Sequence, residues 1–327
     1  MREWQYWTRN KLSILAGYLP AFNIASSKKS PERLYIDLMA GEPFNRDART
    51  GEEFDGSARL ALSSSPPFTR IALCEMQQKA AALEGDLRAR YPERHDFKVY
   101  PGDCNETIGR VLADLEQWRW APTFVFADQQ AAEIRWETLK KIAAFRTGKT
   151  KAEIWLLTSP SMIAKGVAGT NGEAFAERVD ALYGTRDWRR VQLARDLDII
   201  SAEDYRDEMV NLQRWRLEQD LGYAMTARIP MRMPGGMPIY DMVFATDHPV
   251  GNKIMTDLYR KAAEREPRMR QEAKAMAKDK RSRDAGRDTL FDLPPSSIPV
   301  ETLSWDPTDS WDPATRPWWD QEPDLPT

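Results

Sequence analysis

Five short apolar runs, spaced by helix-patterned segments, constrain this chain more than any other feature. The runs are LYIDL (34–38), RIALCE (70–75), FKVYP (97–101), TFVFAD (123–128) and EIWLLT (153–158). Between them, QQKAAALEGDLRARY (77–91), ETIGRVLADLEQW (106–118) and EIRWETLKKIAAFRT (133–147) carry apolar residues at three- and four-residue spacing. Parallel strands need long crossover connections, and helices in those crossovers cover the sheet on both faces. Strand, helix, strand at this rhythm therefore predicts an α/β fold with a parallel sheet. At 327 residues the chain can bury a substantial core, as one large domain or two small ones.

Residues 4 to 19 read as an opening amphipathic helix, with Trp4, Trp7, Leu12, Leu15 and Leu19 near helical spacing. Residues 171 to 221 are charged and helical in pattern, and read as a helical insertion. YAMTARIPM (223–231) and PIYDMVFATD (238–247) flank a turn at Pro234, Gly235 and Gly236, so they predict an antiparallel hairpin at the sheet edge. A five-stranded parallel sheet closed by a late hairpin is the layout of class I methyltransferases. The expected fold is thus Rossmann-like and mixed, spanning residues 1–260 with the insertion at about 171–221. Residues 261–287 are basic and helix-compatible except at Pro267. Residues 288–327 are acidic, rich in proline and tryptophan and unpatterned, which predicts disorder with a binding role.

Charged residues make up 30% of the chain and the net charge is −3, so there is no overall basic excess, although a local basic face remains open. Cys74 and Cys104 are the only cysteines, too few for a disulfide scaffold, a zinc ribbon or a self-contained iron–sulfur cluster. No metal site is expected. The N-terminus lacks the apolar core of a signal peptide, and no apolar run reaches about 18 residues, so a soluble cytoplasmic protein is expected.

In an open α/β sheet, ligands sit beyond the carboxyl ends of the strands. Each of the first four predicted strands has an acid there: Asp37 before the Gly41 turn, Glu75, Asp103 after Gly102, and Asp128. Taken singly, each is an ordinary solvated carboxylate or helix cap. Four together would repel in a purely structural sheet. As an ordered set they suit S-adenosylmethionine, whose sulfonium and ammonium are cationic. On that reading Asp37 faces the methionine end, and Gly41 lets the backbone approach closely. Glu75 accepts the ribose hydroxyls, and Asp103 accepts from the adenine amino group. Asp128, with Gln129 beside it, faces the methyl-transfer point. A nicotinamide cofactor fits less well, because its glycine fingerprint is absent.

These stretches resemble one family, the three-Cys-motif partner proteins, over roughly residues 8 to 260. KLSILAGYLPAF (11–22) is similar to that family's opening helix, and YIDLMAGEP (35–43) to its first strand and loop. DGSARLAL (55–62), GDCN (102–105), FVFAD (124–128) and LYGTRDWRRV (182–191) follow in the family's order. YDMVFATDHPVGNKIM (240–255) is the most distinctive match, through Phe244, Ala245, Thr246, His248 and Gly251. The resemblance implies a class I methyltransferase-like fold, a partner protein carrying a three-cysteine motif of radical-SAM or phage type, and a prokaryotic or phage setting.

Two stretches depart from the family pattern. Glu42 and Pro43 stand where the first loop carries a further glycine, at an expected cost of about 1–2 kcal/mol in cofactor affinity. After the fourth strand, Gln129 and Gln130 replace a proline and an aromatic that would stack a base for about 1–3 kcal/mol. Three functions remain in view: methyl transfer to nucleic acid, a scaffold that has lost transfer chemistry and binds a partner protein or RNA, and methyl transfer to a small molecule, which would need a closed apolar acceptor pocket that the sequence does not signal. The aromatic and arginine residues of 182–216 suit either a nucleic-acid grip or packing onto the core. His248 suits a turn as well as catalysis. DTLFDL (288–293) lacks the leading glutamine of a sliding-clamp peptide, and AKGVAG (164–169) lacks the P-loop ending.

Overall fold

The computed structural model describes residues 3–4, 6–47 and 51–284. A short strand, β1 (Glu3–Trp4), leads into helix α1 (Tyr6–Ser27). Next come β2 (Leu34–Asp37), β3 (Phe44–Asp47), β4 (Glu53–Asp55) and α2 (Ser57–Ser63). Strand–helix units follow: β5 (Arg70–Glu75) with α3 (Gln77–Arg90), β6 (Phe97–Pro101) with α4 (Cys104–Asp114), and β7 (Thr123–Ala127) with α5 (Trp136–Ala143). After β8 (Glu153–Thr158) come α6 (Pro160–Val167), α7 (Gly172–Tyr183), α8 (Asp187–Asp196) and α9 (Ala202–Gln219). The hairpin of β9 (Met225–Arg232) and β10 (Pro238–Thr246) precedes α10 (Pro249–Asp284).

The main sheet has seven strands in the order β6-β5-β2-β7-β8-β10-β9. β6, β5, β2, β7 and β8 pair in parallel, and β10 runs antiparallel to both β8 and β9. Numbered along the chain, the sheet strands lie 3-2-1-4-5-7-6 with only the seventh reversed. That order and that reversal define the Rossmann-like class I methyltransferase fold.

The central strands read as unbroken apolar runs because both of their faces are covered, so β2, β7 and β8 are buried at every position. Phe124, Phe126 and Trp155 face a cluster with Tyr18, Phe244 and Tyr259 from α1, β10 and α10. The alternate residues Val125 and Ile154 face α4 and α5, through Ile108, Leu139 and Ile142. Trp155 Nε1 donates to Tyr259 Oη at 2.6 Å, and Tyr259 Oη donates to the Met242 carbonyl at 3.1 Å. The polar atoms of two buried rings are thereby satisfied in the dry interior.

Helix α10 crosses the expected boundary at 260/261 without a break. Tyr259, Ala262 and Ala263 are buried, and Arg265 donates to Ser13 Oγ of α1 at 2.9 Å. The first turns of the basic segment therefore belong to the domain. Pro267 sits inside this helix. The stretch 288–327 lies outside the described residues. In the insertion, Tyr183 and Trp188 are buried among Val179, Leu182, Val191 and Met209. Trp188 Nε1 donates to Asp180 Oδ1 at 2.8 Å. Packing, not a nucleic-acid grip, accounts for these two aromatics. A second sheet of β1, β3 and β4 has no counterpart in the apolar pattern, since FNRD and EFD are too polar and short to signal strands. Among the described residues, no helix is long and apolar enough to cross a membrane.

Trp155→Ala is expected to cost about 3–5 kcal/mol of stability. Trp155→Phe should cost less, losing mainly the bond to Tyr259. Urea denaturation of both variants checks this; a loss below about 1 kcal/mol for the alanine would show that the ring does not anchor the core.

Candidate functional site

The chain leaves β2 towards β5 on one side and enters β7 and β8 on the other, so the strand order reverses between β2 and β7. A cavity of about 820 Å³ opens beyond the carboxyl ends of the strands there. Of the expected site residues, Gly41, Glu75, Asp103, Asp128 and Gln129 line it together; Asp37 does not.

Gly41 holds φ +65°, a left-handed conformation that side chains disfavour. Its N–H donates to Glu75 Oε2 at 2.6 Å, while Glu75 Oε1 accepts the Met76 N–H at 2.9 Å. Glu75 thus ties the first loop to the end of β5. Each carboxylate oxygen has a second lone pair, so the group can also accept hydroxyls from a ligand. Asp103 is the N-cap of α4, its Oδ1 accepting the Asn105 N–H at 2.8 Å. Its cavity-facing position and its capping role coexist.

Three expected roles are changed by the geometry. Asp37 is 0% exposed. Residues two apart in a strand share a face, so Asp37 points into the core with Tyr35 instead of towards a ligand. It accepts from Met39 N–H at 3.1 Å and from Tyr35 Oη at 3.0 Å, bracing the loop from beneath. Burial pushes its pKa up to about 7, opposed by hydrogen bonds from Ser57, Met39 and Tyr35. Gln129 lines the cavity with its amide committed to hydrogen bonds within the protein. It is 1% exposed, with Nε2 donating to the Leu157 carbonyl at 2.9 Å and Oε1 accepting from Glu133 and Ile134 N–H, each at 3.1 Å. It pins the turn after β7 to the end of β8. Asp128 is not a free carboxylate: Lys11 Nζ of α1 lies 2.5 Å from its Oδ2.

Lys11 is a residue of the candidate site that sequence reasoning missed. Its side chain is 5% exposed, and it sits above the strand reversal, with Nζ 5.6 Å from the centre of the Tyr240 ring. Trp7 and Tyr240 line the same cavity from α1 and β10. The only trace in the sequence is a lysine within the amphipathic helix, and its partner Asp128 lies 117 positions away.

No family model matches the sequence, and no curated protein matches it. Similar solved structures include a conserved hypothetical protein from Streptococcus pyogenes, at 17% identity over 42% of this chain and 76% of that one, with a TM-score of 0.28. A caffeoyl-CoA O-methyltransferase candidate from Staphylococcus aureus is 11% identical over 69% and 81%, with a TM-score of 0.34. M. jannaschii TYW2 in complex with AdoMet is 10% identical over 70% and 75%, with a TM-score of 0.32. Scores this low carry no weight here. The assignment to a methyltransferase-like fold rests on strand order and direction.

Two outcomes follow from this geometry. Lys11→Met leaves a half-buried carboxylate unpaired and should cost about 1–3 kcal/mol of stability, whereas Lys11→Met with Asp128→Asn should recover part of that loss. A double-mutant cycle without coupling would show that the pair is incidental. Asp37 has its folded pKa raised to about 7 from an ordinary 3.8. Its contribution is therefore fully present below about pH 4 and lost as pH rises through about 7. Urea midpoints of Asp37→Asn should fall less between pH 5 and pH 8 than those of the parent.

Proposed function

We propose that the protein is an S-adenosylmethionine-dependent methyltransferase whose cofactor occupies the cavity at the β2/β7 reversal. The observation that carries this reading is Glu75, an acid at the end of the second parallel strand that faces the cavity while holding the Gly41 N–H. The residues fit such a group. Glu75 would accept the ribose hydroxyls, and Asp103 would accept from the adenine amino group. Thr8 and Lys11 of α1, which also line the cavity, are polar groups suited to the methionine carboxylate. When bound, the cofactor would supply a sulfonium-activated methyl group, and the residues lining the cavity would orient it. Glu42 lines the cavity but is exposed, so its carboxylate stays hydrated and its repulsion is screened.

Nucleic acid is the acceptor class we favour, presented with a partner protein that carries a three-cysteine motif. The turn after β7 offers no aromatic, but Trp7 and Tyr240 provide rings in the same cavity against which a base can pack. On α10, Lys261, Arg265 and Lys274 are exposed cations that could meet a phosphate backbone, whereas Arg260 and Arg268 beside them pair with Asp257, Glu264 and Glu272. The rival reading is a scaffold without transfer activity. It is favoured by the Lys11–Asp128 pair and the pinned Gln129, which leave neither side chain free for an acceptor.

Calorimetric titration of S-adenosylmethionine tests the cofactor assignment. Glu75→Ala should weaken binding about 10-fold or more, and Glu75→Gln, which keeps an acceptor for Gly41, should weaken it less. An unchanged affinity in Glu75→Ala would remove the assignment. Binding without transfer of labelled methyl to RNA or DNA, with the partner present, would select the scaffold.

A further inference from the structure

At the opposite pole of the sheet, a second cavity of about 450 Å³ opens between the end of α1, the turn before β7, the loop before β8 and the start of α10. Its one lining carboxylate, Glu153, is spent. Oε2 accepts from Tyr18 Oη at 2.6 Å and Oε1 from Thr246 Oγ1 at 2.8 Å, both in the buried floor. The cations around it are less committed. Lys151 pairs with Asp247 at 3.2 Å, but Lys28, Lys29 and Arg146 make no ion pair among the described residues. Arg146 donates to the carbonyls of Trp120, Thr150 and Lys151, which fix its position, and the Glu153 and Asp247 carboxylates offset its charge through space, so it is not among the groups that would hold an anion. His248 Nδ1 accepts the Val250 N–H at 3.2 Å, so the neutral ring carries its proton on Nε2, a donor with no partner among the described residues. Trp120, 46% exposed, is steadied by its Nε1 bond to the Gln117 carbonyl at 3.1 Å.

We propose that this cavity binds a nucleoside monophosphate. Lys28, Lys29 and His248 hold the phosphate, and the base lies against the Trp120 indole. Uncompensated cations beside an imidazole N–H call for an anion, and phosphate is the common one that takes several such donors at once. An exposed indole at the mouth of an apolar cavity calls for a flat ring. The volume lies within the range of roughly 300–1,000 Å³ that small ligands occupy. Since the site shares no residue with the cavity at the β2/β7 reversal, the inference stands apart from methyl transfer.

The test is calorimetric titration of the full-length chain with adenosine monophosphate, adenosine, inorganic phosphate and an oligoadenylate lacking a terminal phosphate. Adenosine monophosphate should bind, with adenosine and inorganic phosphate each weaker by about 10-fold or more. The double variant Lys28→Ala/Lys29→Ala and the single variant Trp120→Ala, all at exposed positions, should each weaken binding about 10-fold. Glu75→Ala should leave it unchanged. The proposal is overturned if the mononucleotide gives no binding, or if affinity is lost in Glu75→Ala and kept in the lysine variant. It is also overturned if inorganic phosphate matches the nucleotide, or if the oligoadenylate binds more tightly.

Discussion

A parallel strand that ends at a ligand site leaves backbone donors emerging beyond the sheet, and in a covered sheet few of them can turn to water. The rest of this structure depends on how side chains take up those donors. Asp37 accepts from Met39, Glu75 from Gly41 and Met76, Asp103 from Asn105, and Gln129 from Glu133 and Ile134. Four strand ends are thus closed by short polar side chains rather than by further secondary structure. The loops they hold are those that shape the cavity.

That role decides which side chains remain available for chemistry. Glu75 and Asp103 brace backbone and still face the cavity, because a carboxylate accepts more bonds than either brace consumes. Asp37 and Gln129 are buried, and the hydrogen bonds their side chains make brace the loops. Asp128 emerges towards the cavity and meets Lys11. The cation arrives on α1, which α10 holds in place through Arg265 and through Glu266, whose Oε1 accepts from Tyr6 Oη at 3.3 Å. The last helix therefore helps to position a wall of the site lined by the first.

Burial also pushes the pKa of carboxylates at both poles of the sheet upward. Asp37 beneath the cavity and Glu153 at the other pole are both pushed up to about 7 by desolvation, against hydrogen bonds that favour the charged form. Their shared direction means that stability falls as pH rises through that value. Gly251 belongs to the same logic, since a Cβ there would lie 2.3 Å from Glu153 Oε1.

Five apolar runs, the helices between them and the late hairpin were enough to determine the strand directions and the Rossmann-like fold, because strands covered on both faces must be apolar throughout. The placement of Gly41, Glu75 and Asp103 beside one cavity was legible for the same reason: in a parallel sheet every strand end of this kind reaches one edge. Only tertiary structure decided which acids face out. Asp37 turns inward by the two-residue period of its strand, and Asp128 is claimed by a lysine 117 positions earlier. The three-stranded sheet of β1, β3 and β4 was equally illegible, since its strands are two to four residues long and carry little apolar pattern. Periodicity records the neighbours a residue has along its own element; it holds no record of partners brought close by the packing of distant helices.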